Sequence, residues 1–191
     1  MTSALAAAAA CVFAFCNLAL FLVVSDPLPQ SLDAVFTFAG ETQRIIYSKQ
    51  LFKQFPRSQW LISYPTKRIS IPLGKKGLDT SRIFVVDTCI NTNSEAWYVV
   101  DWAKRAVAGN SAYCAARPLS IGLVSTPFHM RRIRMEVSRK YKGESCRFFY
   151  LPVPYEQYGV TKYTYENWWM NKNMRSAVIL EFNKFIYYFF M

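Results

Sequence analysis

Leu119-Ser120-Ile121-Gly122-Leu123-Val124, running on into Ser125-Thr126-Pro127-Phe128-His129-Met130-Arg131-Arg132, decides the fold. The first six residues read as a buried strand. From Phe128 to about Lys140, Ile133 and Val137 recur at helical spacing. Thr126 stands where an N-cap belongs, and Pro127 at the first helical position needs no amide hydrogen. The chain therefore makes a strand, turns sharply and opens a helix, with the free N–H groups of the helix start facing outward from the end of a sheet. The only histidine of the chain and two arginines fall in the first two helical turns. Cations there oppose the helix dipole by about 0.3–1 kcal/mol each. One reading is that His129, Arg131 and Arg132 await an anion. The other sends the arginines to water and packs His129 over the strand end.

Upstream, residues 33–40 (Asp-Ala-Val-Phe-Thr-Phe-Ala-Gly) read as a first strand buried on both faces. Gly40-Glu41-Thr42-Gln43-Arg44 makes the turn into a helix reaching about Phe55. Residues 59–63 form a second strand and residues 81–87 a third. Thr92 followed by Glu95 has the spacing of a capping box, opening a helix to about Val107. Residues 147–151 form a fifth strand, ended by Pro152 and Pro154. Residues 155–169 read as an aromatic loop covering a pocket mouth or facing a membrane. The run from Met174 to about Phe190 reads as a helix closing the sheet, its aromatic end also suited to a membrane interface. Strands alternating with helices predict an α/β fold. The expected form is a Rossmann-like three-layer sandwich with a mostly parallel sheet of about five strands, as a single domain over residues 26–191.

Composition narrows the partners. Hydrophobic residues make up 52% of the 191, which rules out a disordered tail, and the net charge of +11 points to an acidic partner. Residues 1–24 carry no charged side chain, and 4–24 are apolar except for Asn17, long enough for a transmembrane helix. A cleaved leader would want Lys or Arg before the run, and none is present; an alanine-rich buried helix is the soluble alternative. Residues 1–25 are accordingly expected to form a membrane anchor, which argues against nucleic acid as the partner. Cys89, Cys114 and Cys146 lack metal-ligand spacing, so no metal site is expected. No G-x-G-x-x-G is present, and a standard dinucleotide cradle is not supported.

Ser-Thr-Pro-Phe-His-Met-Arg-Arg at 125–132 resembles the signature of the bacterial envelope family that includes SanA, ElyC and YdcF. The likeness runs from about Asp33 to Pro154, with Gly40 and Arg44 matching the first turn and Asn91, Thr92 and Ala96 matching a later motif. The family turn usually has more glycines, and the acid here, Glu95, lies one place late. The region 64–77, with Lys67, Arg68, Lys75 and Lys76, lacks the family's glycines and acid and reads as a solvated loop. The resemblance implies a domain on the outer, periplasmic face of the inner membrane with a role in cell-envelope or peptidoglycan biogenesis.

In parallel sheets ligands sit at the carboxyl ends of the strands, near the switch in strand order. Three such ends gather polar residues: Gly40, Glu41 and Arg44; Asp87, Asn91, Thr92 and Glu95; Ser125, Thr126, His129, Arg131 and Arg132. Arg44, Asn91 and His129 are expected to meet there. The arginines would clamp an anionic, phosphate-bearing small molecule or lipid carrier, with His129 and Glu95 as acid or base. A non-enzymatic module or sensor for a nucleotide-like ligand such as S-adenosylmethionine is the alternative.

Overall fold

A computed structural model describes residues 2–63, 78–109, 117–158, 165 and 167–190. The segments holding Lys67, Arg68, Lys75, Lys76 and Cys114, and much of the predicted 155–169 loop, lie outside them. Among the described residues five strands form one sheet: β1 (Ala34–Thr37), β2 (Gln59–Ser63), β3 (Ile83–Val86), β4 (Leu119–Ser125) and β5 (Cys146–Pro152). Their order is β3-β2-β1-β4-β5, and every pairing is parallel. The predicted sheet was mostly parallel; the observed one is wholly so. The third strand begins at Ile83 rather than Ser81, because Asp79 accepts from the Ser81 amide and folds residues 80–82 into a 3-10 turn.

Alternation along β1 divides the core. Ala34 and Phe36 face a layer built by α4 (Thr92–Gly109) and α5 (Met130–Lys140), through Ala96, Val99, Val100, Ala103, Met130, Ile133 and Val137. Val35 faces the opposite layer, α3 (Thr42–Gln54), through Leu51 and Phe52. The architecture is thus a Rossmann-like α/β sandwich. Asp33 locks the sheet below its centre, receiving a bidentate Arg117 at 2.9 and 2.6 Å and the Ser120 amide at 2.8 Å.

Both ends of the chain depart from expectation. The N-terminal apolar run is two helices, α1 (Thr2–Cys16) and α2 (Leu18–Leu22), parted at Asn17, whose side-chain amide donates to the Phe13 carbonyl. Ala19 and Leu22 are spent inside the domain against Phe128, Trp168, Met174 and Val178. No helix among the described residues is long and apolar enough to cross a membrane. The C-terminal helix, α6 (Lys172–Phe190), buries only Met174 and Val178 and leaves Leu180 and Ile186 largely exposed. It lies on α2, on α5 and on the Pro127–His129 and Trp168–Met170 turns rather than closing the sheet.

Candidate functional site

The chain leaves β1 toward β2 and leaves β4 toward β5, so the strand order reverses between β1 and β4, the place at which parallel sheets take their ligands. Gly40 ends the β1 side with φ +149°, a conformation that disfavours side chains. A Cβ placed there would stand 2.6 Å from Arg44 Cζ. The missing side chain therefore makes room for the guanidinium. Arg44 Nη1 donates to the carbonyls of Phe38 (3.3 Å) and Ala39, and Nη2 donates to Thr126 Oγ1 at 3.1 Å. Thr126 does precede the helix turn and Pro127 does occupy its first position, but the Thr126 hydroxyl does not cap; it faces Arg44.

Arg44 is buried, with 8% of its surface exposed, and among the described residues it forms no ion pair. Among the described residues its Nε has no hydrogen-bond partner, and neither has the buried Ser125 Oγ at the end of β4. Burial lowers the Arg44 pKa, opposed by the more distant Tyr155, Glu95, Glu41 and Glu181. Gly40 and Glu41 remain exposed beyond the end of β1. The Glu41 carboxylate accepts from the Tyr155 hydroxyl.

The capping box expected at α4 does not form. Asn91 caps instead, its Oδ1 accepting the Ser94 amide at 2.9 Å, one residue earlier than the Thr92 reading required. This frees Thr92 and Glu95 to point into the protein. Glu95 Oε1 accepts the Ala39 amide at 2.7 Å, tying α4 to the Gly40 turn. Burial pushes the Glu95 carboxyl above its ordinary value, against the pull of that amide.

Thr92 joins His129 and Arg132. Arg132 Nη1 donates to Thr92 Oγ1 at 2.6 Å, and His129 Nε2 lies 3.1 Å from the same oxygen. On the far side of the ring, His129 Nδ1 stands 3.1 Å from Glu181 Oε2 and 2.7 Å from Arg132 Nη2. Glu181 belongs to α6 and also accepts from Arg132 Nη2 at 3.0 Å and Lys184 at 3.0 Å. With its hydrogen on Nδ1 the ring donates to Glu181 and accepts from Thr92. With its hydrogen on Nε2 it donates to Thr92 and accepts from Arg132. Burial pushes the His129 pKa down to about 4, so the ring is neutral at pH 7. Burial works against the Glu181 carboxylate, yet its hydrogen bond with His129 and the nearby positive charge of Arg132 hold it well below the usual carboxylate range.

The anion that His129 and Arg132 were expected to await is therefore supplied by the chain itself. Phe38 connects this cluster with Arg44: its carbonyl accepts from the Arg44 guanidinium, and its ring meets His129 edge-on at 6.4 Å. Gly40, Glu41, Arg44, Thr92, Glu95, Ser125, Thr126, His129 and Arg132 thus gather at the β1 and β4 ends. Asp87 and Asn91 are exposed, and Asn91 is occupied in capping. Arg131 turns outward, donating to the Phe21 carbonyl and lying 4.2 Å over the Phe21 ring. The Cys89 thiol is pushed up by burial, the wrong direction for a nucleophile. Among the described residues no group of His, Cys, Asp and Glu is arranged to hold a metal ion.

Glu181 and Tyr155 were missed by sequence reasoning. Glu181 is the only acid between Glu166 and the C-terminus, set in an otherwise apolar and basic helix, and that isolation was the available signal. No protein-family model, curated protein or solved structure matches the chain.

Proposed function

We propose that this protein binds an anionic, phosphate-bearing small molecule or lipid carrier in the crevice between β1 and β4, at a membrane of the bacterial envelope. The observation that carries the reading is Arg44. A buried guanidinium with no ion pair among the described residues is costly, and a bound phosphate would supply one. The unpartnered Nε and the exposed Gly40 backbone at the mouth favour the same site. The uncharged residues 1–24 and the exposed Val12, Phe13, Leu20, Phe189 and Phe190 support contact with a lipid surface, as a single-pass anchor or as a surface-lying segment. The envelope setting, with a periplasmic domain and a part in peptidoglycan biogenesis, rests on the resemblance of residues 125–132 to SanA, ElyC and YdcF.

Binding without turnover is the second reading, and the burial of His129 favours it: both ring nitrogens already have protein partners. Mass spectrometry of the protein purified from membranes tests the proposal. A phosphate-bearing molecule should co-purify with the wild type and be absent from Arg44→Met. Equal recovery from both would refute it. Should turnover of that molecule be found, His129→Gln is expected to abolish it while sparing binding.

A further inference from the structure

A cavity of about 600 Å³ opens on the α3 face of the sheet, beside the chain that leaves β5. Its size lies within the range of about 300–1,000 Å³ that holds small organic ligands. One wall is a single face of α3, where Tyr47, Gln50 and Gln54 follow at helical spacing. The other wall carries Gln157 and Tyr165. The chemistry of this lining differs from that of the whole molecule. The chain has a net charge of +11, yet among the described residues no Lys or Arg lines the cavity; its charged members there are Asp26 and Glu156. An anion is therefore disfavoured here. The negative charge is confined to Glu156 and to Asp26, one of whose oxygens accepts the Tyr150 amide at 2.8 Å.

What remains is a set of groups that both donate and accept. Each glutamine offers an NH₂ and a carbonyl, and each tyrosine a hydroxyl. Tyr158 donates to Gln50 Oε1 at 2.7 Å, which fixes that amide and leaves its NH₂ without a partner among the described residues. The Gln54 and Gln157 side chains have no hydrogen-bond partner among the described residues. Hydroxyl groups also donate and accept at once. The aromatic faces of Tyr47 and Tyr165 suit the C–H face of a pyranose ring. From this lining we infer that the cavity binds a neutral saccharide unit.

The cavity adjoins the crevice. Tyr155 lines it, and the Tyr155 hydroxyl donates to Glu41 on the Gly40 turn, three residues before Arg44. A saccharide here and a phosphate at Arg44 are placed to belong to one glycosyl phosphate; that joining clause alone rests on the reading of Arg44.

Saturation-transfer NMR on the full chain, with cellobiose, maltose and diacetylchitobiose as probes, tests the saccharide site. At least one disaccharide should receive saturation, and its affinity should fall about tenfold in Gln50→Ala/Gln54→Ala, a change on an exposed helix face that leaves folding intact. No transfer to any of the three overturns the inference. So does transfer unchanged in the double variant, or displacement of the disaccharide by choline. Inorganic phosphate titrated into the same samples separates the two sites. Arg44→Met should lose phosphate and keep the disaccharide. Phosphate binding that survives while no disaccharide binds overturns the saccharide site and leaves the Arg44 reading standing.

Discussion

Replacing His129 by glutamine removes the only imidazole of the chain and with it one defined proton linkage. In the folded state burial holds the ring's pKa at about 4, against 6.5 in an exposed chain. A base whose folded pKa is depressed contributes its full stability above the unfolded value. As pH falls below 6.5 the unfolded chain takes up a proton that the folded protein refuses, and stability drains away until the folded pKa is reached. Each pH unit in that window is worth about 1.4 kcal/mol, so between pH 7.5 and pH 5 the wild type should lose about 2 kcal/mol through His129 alone. Glu181 lies outside this window, because its depressed pKa makes its contribution fade only at more acid pH. Glu95, with its pKa raised, acts in the opposite sense and is common to both proteins. Urea unfolding of wild type and His129→Gln at half-unit steps of pH reads the difference directly. The variant is expected to be less stable at pH 7.5 and to show a pH slope shallower by that amount. Parallel curves for the two proteins, or an imidazole titrating near 6.5 by NMR, would refute the reasoning.

Gly40→Ala should destabilise the protein by about 1–3 kcal/mol in thermal or urea unfolding, because the new Cβ meets Arg44 Cζ at 2.6 Å in a backbone conformation that alanine avoids. Asn91→Ala should cost about 1 kcal/mol through the lost cap and leave phosphate affinity unchanged, since Asn91 faces solvent rather than the crevice. Glu181→Gln should cost about 2 kcal/mol, less than a fully buried pair because the Glu181 side chain is 16% exposed and glutamine still accepts from Arg132. Inorganic phosphate should raise the Tm of Glu181→Gln more than that of the wild type, by replacing the lost carboxylate at Arg132.

The strands were legible because they are apolar runs rich in β-branched and aromatic residues, and the links between runs are long enough for the crossovers that parallel pairing needs. The Gly40 turn and the Thr126-Pro127 helix start were legible from residue type alone. The cap at α4 was not, because Asn91 and Thr92 are adjacent and equally good caps; only the packing of Thr92 against Arg132 decides between them. Asn17 looks in the sequence like one polar residue in a spanning helix, since a uniformly apolar run has no period to show where it bends into the domain. Glu181 stayed hidden for a different reason. Its partners lie 49 and 52 residues away, and no local pattern specifies which surface a C-terminal helix will cover. Of the positive charge at residues 129–132, that of Arg132 meets its partner Glu181 only in three dimensions, while Arg131 turns outward onto Phe21.

The central claim is that Arg44 waits for an anion, and its Nε–H is the atom to watch. In ¹⁵N-labelled protein the Arg44 Nε–H resonance, assigned by its disappearance in Arg44→Lys, should move progressively as inorganic phosphate is added, and Ser125 should move with it. A resonance that stays fixed while phosphate saturates the protein elsewhere, or that never moves at all, would contradict the account.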